Sequence, residues 1–247
     1  MLQELLQKIE NNKKIIDNFR PFEDPHLLKQ IQNFYKVDLT YSSNAIEGYT
    51  YTLSETKILI EDGLTAGGKP LKDAYAVTGH AKAYDYMFEL IHNSLLTQED
   101  IFFMHKLLEK SLENNSLAGE YRKHPVFITG SQYSVSSVSE IETKMNELFA
   151  YLAQNNNMNA ILLAAKFHEE FVFIHPFGDG NGRIARLGMN TLLIQRGYTP
   201  LIIPPVMRHE YIEALEQARN NDTNFLTLIA RCEYESQKDL IRLLQGQ

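Results

Sequence analysis

Tryptophan is absent from the 247 residues, and cysteine occurs once. No stretch runs long enough without a charge to span a bilayer. The single cysteine, Cys232, excludes an intrachain disulfide, suits a small buried hydrophobe and fits a reducing compartment, so a cytoplasmic setting is expected. The opening residues MLQELLQKIENNKK alternate leucine with charge and polar groups, so no secretory signal is expected either. Positive charge is also scarce: 24 Lys and Arg stand against 31 Asp and Glu, a net charge of −7. That balance gives no general electrostatic reason to bind nucleic acid or an anionic membrane, and it leaves proteins and nucleotides as the expected partners. No Lys-Ser/Thr follows the glycines as in a P-loop, and the HRD and DFG signatures of protein kinases are missing.

What is present is mostly helical patterning, and the length suits one core with an appended subdomain. Leu2, Leu5, Leu6, Ile9, Ile15 and Ile16 mark an amphipathic first helix, a candidate docking element, closed near Pro21. Asp24-Pro25 supplies a cap and first-turn proline for a helix carrying Leu27, Leu28, Ile31, Phe34 and Tyr35 towards Ile46, with Gly48 as its stop. Thr52-Leu53-Ser54-Glu55 is a capping box opening a short helix that ends before Asp62-Gly63. A long helix follows from Asp73 to Ile91, and Leu96 to Ile101 caps another, predicted to run through Leu112. Only Val126 to Val135, β-branched and aromatic around Gly130-Ser131, has an extended pattern, and it predicts a hairpin. Ser137 to Glu140 is a further capping box before a helix to about Leu152. After Pro204-Pro205, Arg208 to Leu215 begins a helix, and Asp222 caps the last one, Phe225 to Leu244.

The polar residues concentrate between two apolar helices, Met158 to Ile174 and a second one ending at Arg196-Gly197. A helix beginning near Gly180 aims its unpaired N–H groups and positive dipole end into the intervening loop, which makes an anion site suited to phosphate. Gly180 and Gly182 flank Asn181 and let an oxyanion approach successive amides. Arg183 and Arg186, three apart, share a helical face and can hold further phosphate oxygens. Asp179 offers one hard oxygen donor, enough for Mg2+ when phosphates complete the shell. His175 can take a proton from an attacking hydroxyl. His168 lies seven residues earlier, roughly 10 Å away along a helix, too far to share a metal. His80, His92 and His105 have no ligand spacing and are expected to be ordinary packed or surface residues.

His175-Pro176-Phe177-Gly178-Asp179-Gly180-Asn181-Gly182-Arg183-Ile184-Ala185-Arg186 resembles the complete Fic signature, HPFx(D/E)GNGRxxR. The resemblance implies a mostly α Fic-type helical domain at 51–247, carrying one β-hairpin flap, after an N-terminal helical extension at 1–50. It implies transfer of AMP from ATP to a hydroxyl side chain of a target protein. By it His175 is the general base and Asp179 the Mg2+ ligand. Gly180, Asn181 and Gly182 are the phosphate nest, and Arg183 and Arg186 grip the outer phosphates. The flap, Val126, Phe127, Ile128 and Thr129, would line the nucleotide and align the target by strand addition. The spacing Arg208-x-x-Tyr211-x-x-Ala214-Leu215 resembles the family segment that brings a tyrosine to the adenine, which points to Tyr211; many relatives place an asparagine near where Arg219 stands, and here Asn220 follows it.

Ser43 to Gly48 resembles the family's inhibitory motif (S/T)xxxE(G/N), which implies that Glu47 pairs with Arg186 in the place of the γ-phosphate while Ser43 steadies the pair. An autoinhibited adenylyltransferase is therefore expected. Its partner is an unidentified target protein, with the chain itself a candidate, and a homo-oligomer is compatible. The alternatives are removal of AMP with Glu47 orienting water, phosphate or other phospho-group transfer, and a nucleotide-responsive binding module.

Overall fold

The computed structural model describes residues 2–22, 24–109 and 118–246. Ten α-helices occur among them: α1 (Leu2–Asp17), α2 (Pro25–Ile46), α3 (Leu53–Asp62), α4 (Leu71–Glu89), α5 (Gln98–Glu109), α6 (Ile141–Gln154), α7 (Ala160–Ile174), α8 (Asn181–Ile194), α9 (Arg208–Gln217) and α10 (Thr223–Gln245). Short 3-10 turns stand at Leu90–His92, Val138–Glu140 and Pro205–Met207. None of the helices described is long and apolar enough to cross a membrane. The predicted continuation of α5 to Leu112 lies outside the described residues.

Helix boundaries follow the local chemistry. Asp24 caps α2 by accepting the His26 N–H at 2.8 Å, with Pro25 in the first turn. Thr52 and Glu55 form the reciprocal capping box of α3, and Gly63 closes that helix with φ 70°. Ser137 and Glu140 form a second box, which opens one 3-10 turn before α6. Asn159 starts α7 by accepting the N–H groups of Ile161 and Leu162 at 3.0 and 3.3 Å.

The core surrounds α8, whose residues other than Gly182 are all buried. Helices α7 and α4 pack against it, and α1 packs on α10. The apolar face of α1 is therefore occupied: Ile9 and Ile16 are inside the same core as Ile31, Tyr35 and Leu39 of α2 and Ile184 and Leu187 of α8. The docking role expected for the first helix has no free apolar face to use. Burying these side chains, at about 1.5–3 kcal/mol each for the larger ones, ties α1 to the core.

The expected hairpin is not formed. Ile128 accepts the Ser131 N–H at 3.2 Å and Gly130 has φ 87°, so the turn exists, but no strand is found among the described residues. The reason lies in the competing partners. Glu216 on α9 accepts the Gln132 N–H at 2.7 Å and the Ser131 hydroxyl at 2.9 Å, and Arg122 donates to the Ser136 carbonyl. The turn and the end of the second arm thus bond to helix and loop side chains, and no ladder joins the two arms. Phe127 is 91 % exposed.

Glu233 on α10 is wholly buried, accepting from Thr199 Oγ1 at 2.9 Å and Thr199 N at 3.3 Å. Burial pushes its carboxyl pKa up to about 8. The folded protein then holds a proton between about pH 4.5 and 8 that the unfolded chain has released, so this group's contribution is lost as pH rises through that window. Glu233→Gln should gain on the wild type between pH 5 and pH 8, at most roughly 1.4 kcal/mol per pH unit, or several degrees in Tm. A Tm difference that does not change with pH would show that Glu233 does not titrate in this range.

Candidate active site

Helix α7 ends where His175 turns out of it with φ 54°, the one non-glycine with positive φ among the described residues. Its N–H still bonds to Phe171 O at 2.9 Å, so the turn is a helix cap in the left-handed region, a strained conformation of the sort that collects at working sites. His175 Nδ1 lies 3.4 Å from the Val172 carbonyl, which places the proton on Nδ1 and leaves the Nε2 lone pair free. Burial holds its pKa below the ordinary value of 6.5, so the ring is neutral at pH 7.

The loop from 176 to 180 is clamped at both ends. Asn181 accepts the Phe177 N–H and donates to the Phe177 carbonyl, each at 2.9 Å, so its side chain builds the loop while its backbone belongs to the amide nest. Asp179 accepts the Gly180 N–H at 2.6 Å and keeps its carboxylate 69 % exposed. Gly180 has φ 75°, and a Cβ there would stand 2.9 Å from Leu108 and 3.1 Å from Glu109, so no other residue fits without displacement.

The two arginines are brought together but differ in state. Arg183 is 1 % exposed, pairs with buried Glu109 at 3.2 Å and stacks its guanidinium 5.1 Å from the Tyr49 ring, while its Nε and Nη1 have no hydrogen-bond partner. Arg186 is nearly saturated. Its Nε donates to Ser43 Oγ at 2.9 Å, Nη2 donates to Ser43 O at 3.0 Å and to Glu47 at 2.6 Å, and Nη1 donates to Tyr211 OH at 3.3 Å. Glu47 follows the end of α2, whose last carbonyl at Ile46 is taken by Arg208 Nε at 2.6 Å. A Cβ on Gly182 would collide with the Glu47 carboxylate. One anion therefore already rests against the first turn of α8.

Tyr211 is 3 % exposed and lies beneath Arg186, with its hydroxyl 2.9 Å from His168 Nε2. Its neighbour Ile212 is 43 % exposed and lines a cleft of about 690 Å³ between residues 128–133 and α9. Ile128 and Thr129 reach that cleft, whereas Val126 and Phe127 are not among its lining residues. Arg219 stacks on Phe173 at 4.2 Å and Tyr133 at 5.2 Å.

Several contacts of the site were illegible in the sequence. Glu109, Tyr49 and His168 reach the site through tertiary packing alone, whereas Arg122 belongs to Gly119-Glu120-Tyr121-Arg122, the stretch before residues 126–135 whose sequence resembles the start of the family's flap. His105 is 2 % exposed and bonded on both ring nitrogens, where sequence spacing had suggested an ordinary packed histidine. The only available signal was that polar groups sat on the inner faces of otherwise apolar helices.

Residues 95–193 match the model of the Fic/DOC family. A protein adenylyltransferase Fic from Nematostella vectensis is 35 % identical over 238 residues, covering 93 % of this chain and 54 % of that protein. The chain thus spans about half the length of that curated relative. Fic-1 from C. elegans has the same fold, with a TM-score of 0.88 at 24 % identity over 99 % of this chain and 73 % of the other. A Fic domain containing signaling protein from Bacteroides thetaiotaomicron gives 0.85 at 25 % identity, covering 98 % of both chains. With the signature loop, the two arginines and the helix pair that carries them in place, the chain belongs to the Fic/DOC family.

Proposed function

We propose that this chain is an autoinhibited, Mg2+-dependent protein adenylyltransferase that moves AMP from ATP to a hydroxyl side chain of a target protein. The observation that carries the reading is Arg183: a guanidinium 1 % exposed, with two nitrogens lacking acceptors, beside the open amides of a helix N-terminus. Leaving such donors unpaired costs about 1–3 kcal/mol each, which phosphate oxygens would offset. In the reaction the hydroxyl oxygen attacks the α-phosphorus, the bond to the β-phosphate oxygen breaks, and pyrophosphate departs. The hydroxyl proton passes to His175 Nε2, free because Nδ1 faces Val172.

Among the described residues no group of three or more His, Cys, Asp or Glu forms a metal cage. An exposed single carboxylate suits Mg2+ shared with phosphates, and Asp179 would hold it. The ion would neutralise the phosphates and leave the protein's residues to position them. For the base, exposed Ile212 at the cleft is the better apolar platform, and we assign buried Tyr211 to holding Arg186. The target chain would add along residues 126–129, whose backbone has no partner strand. Residues 1–50 would form the regulatory extension and 51–247 the transferase proper, acting in the cytoplasm, with the chain itself among its targets and an oligomer compatible with the site.

Incubation with labelled ATP and cell lysate, read by mass spectrometry of adducts, should show AMP on protein hydroxyls; phosphate or another group there would overturn the reading. Asp179→Ala should lose the Mg2+-dependent part of ATP affinity in calorimetric titrations. Equal Mg2+ dependence in both proteins would remove Asp179 from the metal site.

A further inference from the structure

His105 stands between two segments that the reaction must keep in register. From one side the Gly119 N–H donates to its Nδ1 at 2.8 Å, and on the other its Nε2 lies 3.2 Å from the Asp179 carbonyl. Nδ1 accepts, so the proton sits on Nε2 and donates to that carbonyl. The ring stacks on Phe177, centroids 3.7 Å apart and planes within 5°. Gly119 opens the segment that leads through Arg122 to residues 126–136. Asp179 is the last residue before the amide nest.

Arg122, three residues further along, repeats the connection. Its N–H donates to Pro176 O at 2.9 Å and its Nε to His175 O at 2.8 Å, while its two terminal nitrogens bond the carbonyls of His124 and Ser136. The root of the flap is thus stitched to the catalytic loop at 175, 176 and 179. The bond from Gly119 requires the neutral ring, since an imidazolium could not accept at Nδ1.

We infer that His105 is a positioning residue: through one neutral imidazole it sets the flap root and the phosphate-binding amides in a fixed relation, so that target and nucleotide meet at His175. The inference rests on the proposed function only in naming ATP and target; the coupling itself is a matter of these two bonds. It follows that the two halves of the ring can be tested separately. Asparagine places Oδ1 at the position of Nδ1 and retains the acceptor for Gly119, but does not reach Asp179. Glutamine places Nε2 at the position of the ring Nε2 and retains the donor to Asp179, but offers no acceptor at the Nδ1 position.

The experiment is amide hydrogen exchange on the wild type, His105→Asn and His105→Gln, with ATP affinity measured by calorimetry in the same three proteins carrying Glu47→Gly. His105→Asn should speed exchange at 180–182, leave Gly119 and 121–136 as in the wild type, and weaken ATP by about two- to tenfold, the loss of one hydrogen bond. His105→Gln should do the reverse, speeding exchange at Gly119 and along the flap while ATP affinity stays within about twofold. Both variants lose the stack on Phe177, so effects common to the two report packing only. Identical profiles for the two variants, or no change in either, would overturn the inference. If no ATP binds even to the parent protein, the nucleotide reading fails and the exchange pattern still decides the role of His105.

Discussion

His175→Ala should lower AMP transfer by about 10²- to 10⁴-fold, the range for loss of a general base, with ATP affinity nearly unchanged. The base acts only as the hydroxyl attacks, and the ring's one hydrogen bond is a long contact to Val172. The backbone complicates the measurement, because φ 54° suits histidine better than alanine and a left-handed residue with a Cβ costs on the order of 1–2 kcal/mol. His175→Gly removes that steric cost and the base together. Transfer should fall alike in both variants while their Tm values differ, which separates strain from chemistry. Because burial depresses the pKa of His175, the acid limb of the wild-type rate should lie below pH 6.5. An acid limb above pH 6.5, or unchanged turnover in either variant, would remove His175 from the mechanism.

Much of this site could be read from the chain because its parts are contiguous. Residues 175–186 hold the proposed base, the carboxylate proposed for Mg2+, the helix N-terminal amides and both arginines, and the helix pair that presents them has a plain apolar periodicity. Glu47 could be singled out by the motif spacing, four residues after Ser43. The flap was misread for a physical reason: alternating β-branched residues describe a surface that can pair, and pairing also needs the two arms in register, whereas here Glu216 holds the turn and Arg122 the carbonyl of Ser136 just past the second arm. Tyr211 and Ile212 show a second limit. Spacing singles out a tyrosine on α9, but only the helix's rotation in the fold decides that Tyr211 faces inward to Arg186 and Ile212 outward to the cleft. His105 could not be found because its two partners lie 14 and 74 residues away in sequence.

Glu47→Gly should raise self-modification or target modification by about ten- to a hundredfold at matched protein and Mg2+ concentrations. The Glu47 carboxylate does two things at once: it takes a donor of Arg186 at 2.6 Å and rests against Gly182, where phosphate oxygens would approach the amides. A charge-assisted hydrogen bond contributes about 1.5 to 3 kcal/mol, and the 37 % exposure of Glu47 favours the lower part of that range. At about 1.4 kcal/mol per factor of ten, release of the arginine alone gives the lower figure. Clearing the amide nest supplies the rest. Arg186 should remain in place once freed, since Ser43 O, Ser43 Oγ and Tyr211 OH still hold three of its donors. Adding Arg186→Ala should therefore cancel the gain. Ser43→Ala, by contrast, should lower transfer in the Glu47→Gly background, because the hydroxyl positions the guanidinium whether or not Glu47 is present. If Glu47→Gly is no faster than wild type, the inhibitory reading fails; if it instead loses the ability to strip AMP from a modified protein, Glu47 belongs to hydrolysis, with its carboxylate orienting the water.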